Sequence, residues 1–243
     1  MLPYVPVGMS LKHSNRQEWG LRDPQSTREL LLQAAFREVY RSGFQSAGIE
    51  AILAATGVTK GALYYHFDSK DALGYAIVEE IITKVIDDSW LRHLRSNGRP
   101  LDILIGIVRR TSVRPEDVKG GCPLLNLVQE MSPLDERFRK RLERIMQTWH
   151  EGVAAILRKG QAQGTVRRDL NPDETASFLI AMYEGYASLA KNAQDPKVWN
   201  VGIKNIVGWL KSLRAPEQLH RARDRRSSKS RIPGRPQERS DKQ

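Results

Sequence analysis

Two short stretches carry side chains able to do chemistry. In the first, Thr59-Lys60-Gly61-Ala62 precede three consecutive rings with polar tips, Tyr64, Tyr65 and His66. At about 100° per helical residue three adjacent rings cannot share one buried face, so at least one points outward. Gly61 inside a helix costs about 1 kcal/mol relative to alanine, which suits close approach to a phosphate or another backbone, or is simply tolerated. The second stretch is Gly120-Gly121-Cys122-Pro123-Leu124-Leu125. Pro123 fits the first position of a helix and sets Cys122 at the N-cap, where backbone amides and the helix dipole lower a thiol pKa, with Lys119 nearby to help. The competing reading makes Cys122 a small buried hydrophobe. Cys122 with His150 or His93 would give a nucleophile pair for a Cys-dependent hydrolase. No acidic orienter or oxyanion loop accompanies them, however, so no catalytic residue is assigned. No Cys/His cluster has zinc spacing and no glycine-rich phosphate loop occurs, so neither metal nor cofactor is expected.

The elements that position these residues follow from helical periodicity. Leu30, Leu31, Ala34, Ala35, Val39 and Tyr40 fall on one side of a helix over 24–42, capped by Ser26 or Thr27, with Glu29 in its first turn and Gly43 as its stop. A short helix over 49–56 closes at Gly57, a third runs over 59–66, and Ser69 with Asp71 opens a fourth that continues to 94. Two short helices split by a glycine-containing turn of this length meet the requirements of a helix-turn-helix. Further helices are expected over 100–114, 123–131, 134–160, 172–193 and 196–213, with breaks at Pro115, Gly120-Gly121 and other Pro or Gly pairs. The fold class is all-α, without strands or repeats. Four regions are expected: a disordered leader 1–22, a DNA-binding domain 23–70, a sensing and dimerisation domain 71–213, and a basic disordered tail 214–243.

Charge taken alone misleads. The net charge is +11, but residues 211–243 hold eleven Lys and Arg against four Asp and Glu, a surplus of seven. That tail either adds non-specific nucleic-acid affinity or merely solubilises. The N-terminal twenty residues, broken by Pro3 and Pro6, lack the apolar centre of a signal peptide, and no run approaches the ~20 residues of a membrane span. A single cysteine fits a reducing compartment, so the cytoplasm is expected.

The segment Gly43-Phe44, Gly48 to Leu53, Thr56 to Phe67 and Ser69 to Leu73 resembles the DNA-binding signature of TetR-family regulators. The resemblance implies that Tyr64, His66 and Lys70 touch sugar-phosphate while Leu63 and Phe67 close a small core. The chemistry agrees, since a helix in the major groove offers its N-terminal residues to base edges and must stay slim there. Thr59, Lys60, Gly61 and Ala62 suit that role; Tyr65 joins the contacts, as does Thr27 at the start of the first helix. Ala47-Gly48 stands where many members have Thr-Ser, which removes a hydroxyl contact to phosphate. The Gly-Cys segment is similar to that of electrophile-responsive relatives, which makes Cys122 a candidate redox or electrophile sensor.

The stripes Phe178, Leu179, Met182, Tyr183, Tyr186, Leu189 and Ile203, Ile206, Val207, Leu210 suit either core or a dimer four-helix bundle, the arrangement the resemblance implies. A dimer is also needed for two heads to reach half-sites about 34 Å apart on a pseudo-palindromic double-stranded operator. If a small-molecule inducer binds without covalent chemistry, Leu104, Val108, Trp149, Val153 and Tyr183 are candidate pocket residues. The expected function is a ligand- or redox-responsive repressor, whose reading heads lose operator spacing through motion of the fourth helix. The alternative is a ligand-independent activating or architectural protein.

Overall fold

The computed structural model describes residues 24–111 and 115–216; the expected leader and nearly all of the expected tail lie outside them. Among these residues the protein is all-α, its one extended pairing a single bridge between Val166 and Arg214. No described helix is long and apolar enough to cross a membrane.

Helix α1, Pro24–Ser42, buries Leu31, Leu32, Ala34, Ala35, Phe36 and Val39 along one face. Ser26 and Thr27 lie inside it rather than capping it, and Glu29 falls beyond its first turn, because the helix already begins at Pro24. Helix α2, Ile49–Thr56, ends at Gly57, whose left-handed φ of 67° lets its amide donate back to the Leu53 carbonyl. Helix α3, Lys60–His66, is capped by Thr59, whose hydroxyl accepts from the Ala62 amide. Ser69 caps the next helix in the same way, through the Ala72 amide.

That next helix, α4, is a continuous rod over 70–94 joining the head to the rest of the molecule. Its α-helical stretches Lys70–Ala76, Thr83–Ile86 and Arg92–Leu94 alternate with π-helical segments Ile77–Ile82 and Asp87–Leu91. At the first widening the Thr83 amide and hydroxyl both reach the Val78 carbonyl, five residues back. The body comprises α5 (Pro100–Arg110), α6 (Pro115–Gly120), α7 (Pro123–Met131), α8 (Glu136–Ala162), α9 (Pro172–Ala193) and α10 (Pro196–Ser212). Helix α5 stops at Arg110, short of the expected 114, and α6 occupies a stretch where only breaks were expected; six residues are too few to show a period. Asp135, Asn171 and Asp195 cap α8, α9 and α10 through side-chain oxygens.

The expected boundary at 70/71 falls at the start of α4, and one buried apolar cluster is continuous across it from Leu31 to Leu213. In the body that cluster centres on aromatic rings set tilted or edge-to-face against one another. Trp90 lies 4.9 Å from Trp149 and 5.0 Å from Tyr183, and Tyr183 lies 5.1 Å from Trp199, centroid to centroid. Trp199 donates its indole N–H to the Thr111 carbonyl at 2.7 Å.

Candidate nucleic-acid interface and buried polar site

Helix α3 is held to the head by little more than Leu63 within it and Phe67 just after it, 0% and 4% exposed. Their i, i+4 spacing puts both on one side and turns the opposite side to solvent. Thr59, Lys60 and Gly61 are exposed, Ala62 and His66 are half-buried, and Tyr64 and Tyr65 are 41% and 79% exposed. A Cβ built on Gly61 meets nothing within 4 Å, so no packing inside this chain requires a glycine there. Tyr65 stands edge-on to His66 with centroids 5.1 Å apart. Thr27 is half-buried on α1. Lys70 is placed less freely: its ammonium donates to the Gln45 carbonyl at 2.9 Å and sits 5.1 Å above the Phe44 ring.

A seam of paired polar groups joins the head to the body. The Glu130 carboxylate on α7 accepts from the Phe44 and Gln45 amides, each at 2.9 Å, beyond the Gly43 turn. Tyr40 on α1 lies over Gly120, where any Cβ would collide with its ring, and donates its hydroxyl to the Gly121 carbonyl at 2.7 Å. Gly121 itself has φ of 69°, so the Tyr40 contact demands the first glycine and the left-handed turn the second. Tyr75 donates to Asp135 at 2.9 Å, and Arg141 covers the Tyr75 ring while binding Glu79. Arg28 pairs with Glu80 and lies over Phe67. Sequence reasoning missed Glu130 and Arg28, since their partners lie 86 and 52 residues away and no local pattern marks them.

Cys122 stands at the N-cap of α7, yet its thiol pKa moves the other way from the expectation. The thiol is buried and raised well above the ordinary value, first by desolvation and then by the neighbouring Glu184 carboxylate; the Leu125 and Leu124 amides pull it down by less. Lys119, expected to help, is exposed. His150 uses its Nε2 on the Asp173 carbonyl and the Ser177 hydroxyl. His93 lies by Arg92 and Arg110 in a separate cleft, so neither histidine serves Cys122 as a base.

Glu184, on α9, was not anticipated. It is 6% exposed, and burial pushes its carboxyl up to about 7. Neither oxygen has a hydrogen-bond partner of good geometry, although the Cys122 thiol lies alongside. Two further polar atoms in the same interior, Trp149 Nε1 and the Tyr183 hydroxyl, are also unpartnered. A signal was present in the sequence: Glu184 sits at helical spacing between Ile180 and Ala187, an acid within a buried stripe.

Two cavities bear on function. One, of ≈ 820 Å³, opens between α1, α4 and the end of α5; its charged groups include the pairs Arg28–Glu80 and Arg92–Asp88. The other, of ≈ 460 Å³, opens between α7, α8 and α9, with Glu184 and Ile180 at its floor. The expected pocket residues Leu104, Val108, Trp149, Val153 and Tyr183 are each at most 2% exposed and border neither cavity; Trp149 and Tyr183 belong to the aromatic cluster, edge-to-face with each other.

Residues 31–77 match the family described as bacterial regulatory proteins, tetR family, and residues 103–205 match the tetracyclin repressor-like C-terminal domain. The chain is 31% identical over 166 residues to the HTH-type transcriptional repressor DhaR of Mycobacterium sp. (strain GP1), covering 65% of this chain and 79% of that one. It is 29% identical over 190 residues to the transcriptional regulator AcuR of Cereibacter sphaeroides, covering 77% and 86%. A crystal structure of a TetR transcriptional regulator from Chloroflexus aurantiacus superposes with a TM-score of 0.72 at 27% identity, covering 80% of this chain and 98% of that one. The exposed face of α3, the all-helical body and these likenesses agree: the chain belongs to the TetR family and is a DNA-binding regulator of transcription.

Proposed function

We propose that the protein is a cytoplasmic repressor that grips a pseudo-palindromic operator as a homodimer and lets go when a small molecule occupies the body. The observation that carries DNA recognition is the bare outer face of α3, with open space in front of Gly61 where a phosphate or base edge fits. In this reading Thr59, Lys60, Gly61 and Ala62 meet the groove. Tyr64, Tyr65 and His66 meet sugar-phosphate, flanked by Thr27 and Lys70. Lys70 must exchange its Gln45 carbonyl for phosphate, a swap between two oxygen acceptors.

The homodimer is supported by an apolar face on α9 and α10. Phe178 and Leu189 on α9 are 52% and 58% exposed, and Val201 on α10 is 53% exposed. Nothing lies within 4 Å of a Cβ built on Gly185 or Gly208, so a second pair of helices could approach closely there. Burial of Cys122 supports a non-covalent inducer over thiol chemistry, because the thiolate is the reactive species. The unpaired interior groups likewise favour a ligand sensor over a ligand-independent protein, with Leu104, Val108 and Val153 as core wall. The routes that join body to head include α4, the Glu130 carboxylate on the Phe44 and Gln45 amides, and the contact of Tyr40 with the residue preceding Cys122.

Analytical ultracentrifugation with fluorescence anisotropy on duplexes from the coding region's own upstream sequence tests the reading. A dimer binding one duplex in preference to scrambled DNA is expected. A monomer, or a dimer indifferent to every duplex at low salt, overturns it.

A further inference from the structure

Glu184 raises a physical problem: among the described residues no cation pairs with its carboxylate, and only the Cys122 thiol lies against it. A carboxylate enclosed by protein is retained at a cost unless something pairs with it. Here the cavity above it carries no lysine or arginine among its lining residues. The wall is apolar where Leu125, Met146 and Ile180 stand, and its second carboxylate, Glu151, is exposed at the rim. His150, across the cavity on α8, already spends its Nε2 on Asp173 and Ser177. The larger cleft beside α1 differs, for two of its acids, Glu80 and Asp88, already have arginine partners, and the third, Glu29, is exposed to water.

We propose that the cavity between α7, α8 and α9 binds a small apolar cation, its charge set against the Glu184 carboxylate and its hydrocarbon against Leu125, Met146 and Ile180. The proposal rests on the reading of the body as a ligand sensor and names the ligand's chemistry. A volume of ≈ 460 Å³ accommodates an aryl-alkyl ammonium group, and the apolar wall replaces the water its hydrocarbon gives up. Raised to about 7, the Glu184 carboxyl is partly protonated when empty, so an arriving cation gains most where the group can ionise. Glu184 also adjoins Cys122, and the residue before Cys122 holds the Tyr40 hydroxyl of the head. A ligand that moves this carboxylate therefore acts one residue from a point where body and head are fastened. Ala181 borders both the cavity and the exposed face of α9, so the opening lies beside the proposed dimer contact.

Isothermal titration calorimetry on the full chain tests this with phenethylammonium and its neutral analogue phenethyl alcohol, at about pH 8 where the amine is charged. The ammonium should bind at least about tenfold more tightly than the alcohol. E184Q, with its fold checked by circular dichroism, should lose that preference, and Q147K, which adds a positive charge at the exposed rim, should weaken the ammonium alone. Equal affinity for the two probes overturns the proposal, as does an unchanged preference in both variants. A crystal structure of the free protein with a lysine or arginine of a second copy seated on Glu184 overturns it as well. Operator binding is measured separately. Ammonium binding without any effect on operator affinity upholds the site while refuting the sensor reading; no affinity for the ammonium overturns the site, and operator binding that some other small molecule weakens would then leave the sensor reading standing.

Discussion

The seam between head and body and the interior of the body treat buried polar groups in opposite ways. At the seam Glu130, Tyr40 and Tyr75 each have a partner between 2.7 and 2.9 Å, drawn from a distant part of the chain. In the interior Trp149 Nε1, the Tyr183 hydroxyl and the Glu184 carboxylate have none, although all three are more deeply enclosed. A buried group left unpaired costs about 1–3 kcal/mol, so the body gives up stability where the seam gives up none. The difference teaches where to look for geometry and where to look for a missing partner. Paired groups fix how the head sits on the body, and the unpaired ones are where the proposed ligand would find its partner.

The largest expected effect comes from cutting the apolar part of the seam. Phe138 on α8 is fully buried, edge-on to Phe44 of the head at 4.7 Å and to Tyr75 of α4 at 4.8 Å. Phe138→Ala should cost about 3–5 kcal/mol in urea unfolding, and amide exchange should speed up in the head before the body. Uniform exchange throughout would mean that the ring supports the core generally and not the seam.

Glu184→Gln probes the unpaired side and should show a smaller, pH-dependent effect of opposite sign. Its folded carboxyl is raised from the ordinary 4.5 to about 7. Folding therefore takes up a proton, and the stability linked to that proton is complete below pH 4.5 and lost as pH rises through 7. The groups facing Glu184 are Cys122, Tyr183, and, across the cavity, His150 and Glu151. The thiol and phenol are pushed further from ionisation, and His150 and Glu151 are present in both proteins. Relative to wild type, the glutamine variant should gain on the order of 3 kcal/mol between acidic and mildly alkaline pH. A stability difference that does not vary with pH would show that Glu184 keeps its ordinary pKa.

Legibility in the sequence divides along the same line. Helices over 24–42, 49–56, 123–131 and 172–193 were readable because apolar spacing and Gly or Pro punctuation are local. Thr59 and Gly61 could be placed on an outward helix for the same reason. What escaped depended on distant chain. The occupied ammonium of Lys70, the Glu130 latch and the raised thiol of Cys122 each follow from tertiary neighbours. For Cys122 the local rule was sound, since the Leu124 and Leu125 amides do lower its pKa, but burial and Glu184 outweigh them. The π segments of α4 escaped for another reason: Ile77, Val78, Ile81, Ile82, Val85 and Ile86 keep an apolar stripe that reads the same with or without a widened turn.

Glu130→Ala should fall below both earlier effects, at about 1–3 kcal/mol, because it strands the Phe44 and Gln45 amides while Gln45 still reaches water. If the latch sets the head's angle, operator affinity should fall by more than the stability loss accounts for. A variant destabilised yet binding normally when folded would reduce Glu130 to a simple cap.

The smallest effect on folding belongs to the exposed face of α3, and it sharpens the comparison by being functional alone. Tyr65 is 79% exposed and, among the described residues, its ring contact is with His66, so Tyr65→Ala should change stability by less than about 0.5 kcal/mol. Operator affinity should nonetheless drop severalfold, by anisotropy at fixed salt. Lys60→Ala should weaken binding across all sequences and reduce the slope of log affinity against log salt by about one, because one fewer cation is released from phosphate. Tyr65 carries no charge, so its loss should leave that slope where it was. Two variants on one helix, alike in stability and different in salt slope, would separate a side chain that neutralises phosphate from one that only packs against sugar; identical slopes would place Lys60 off the DNA backbone.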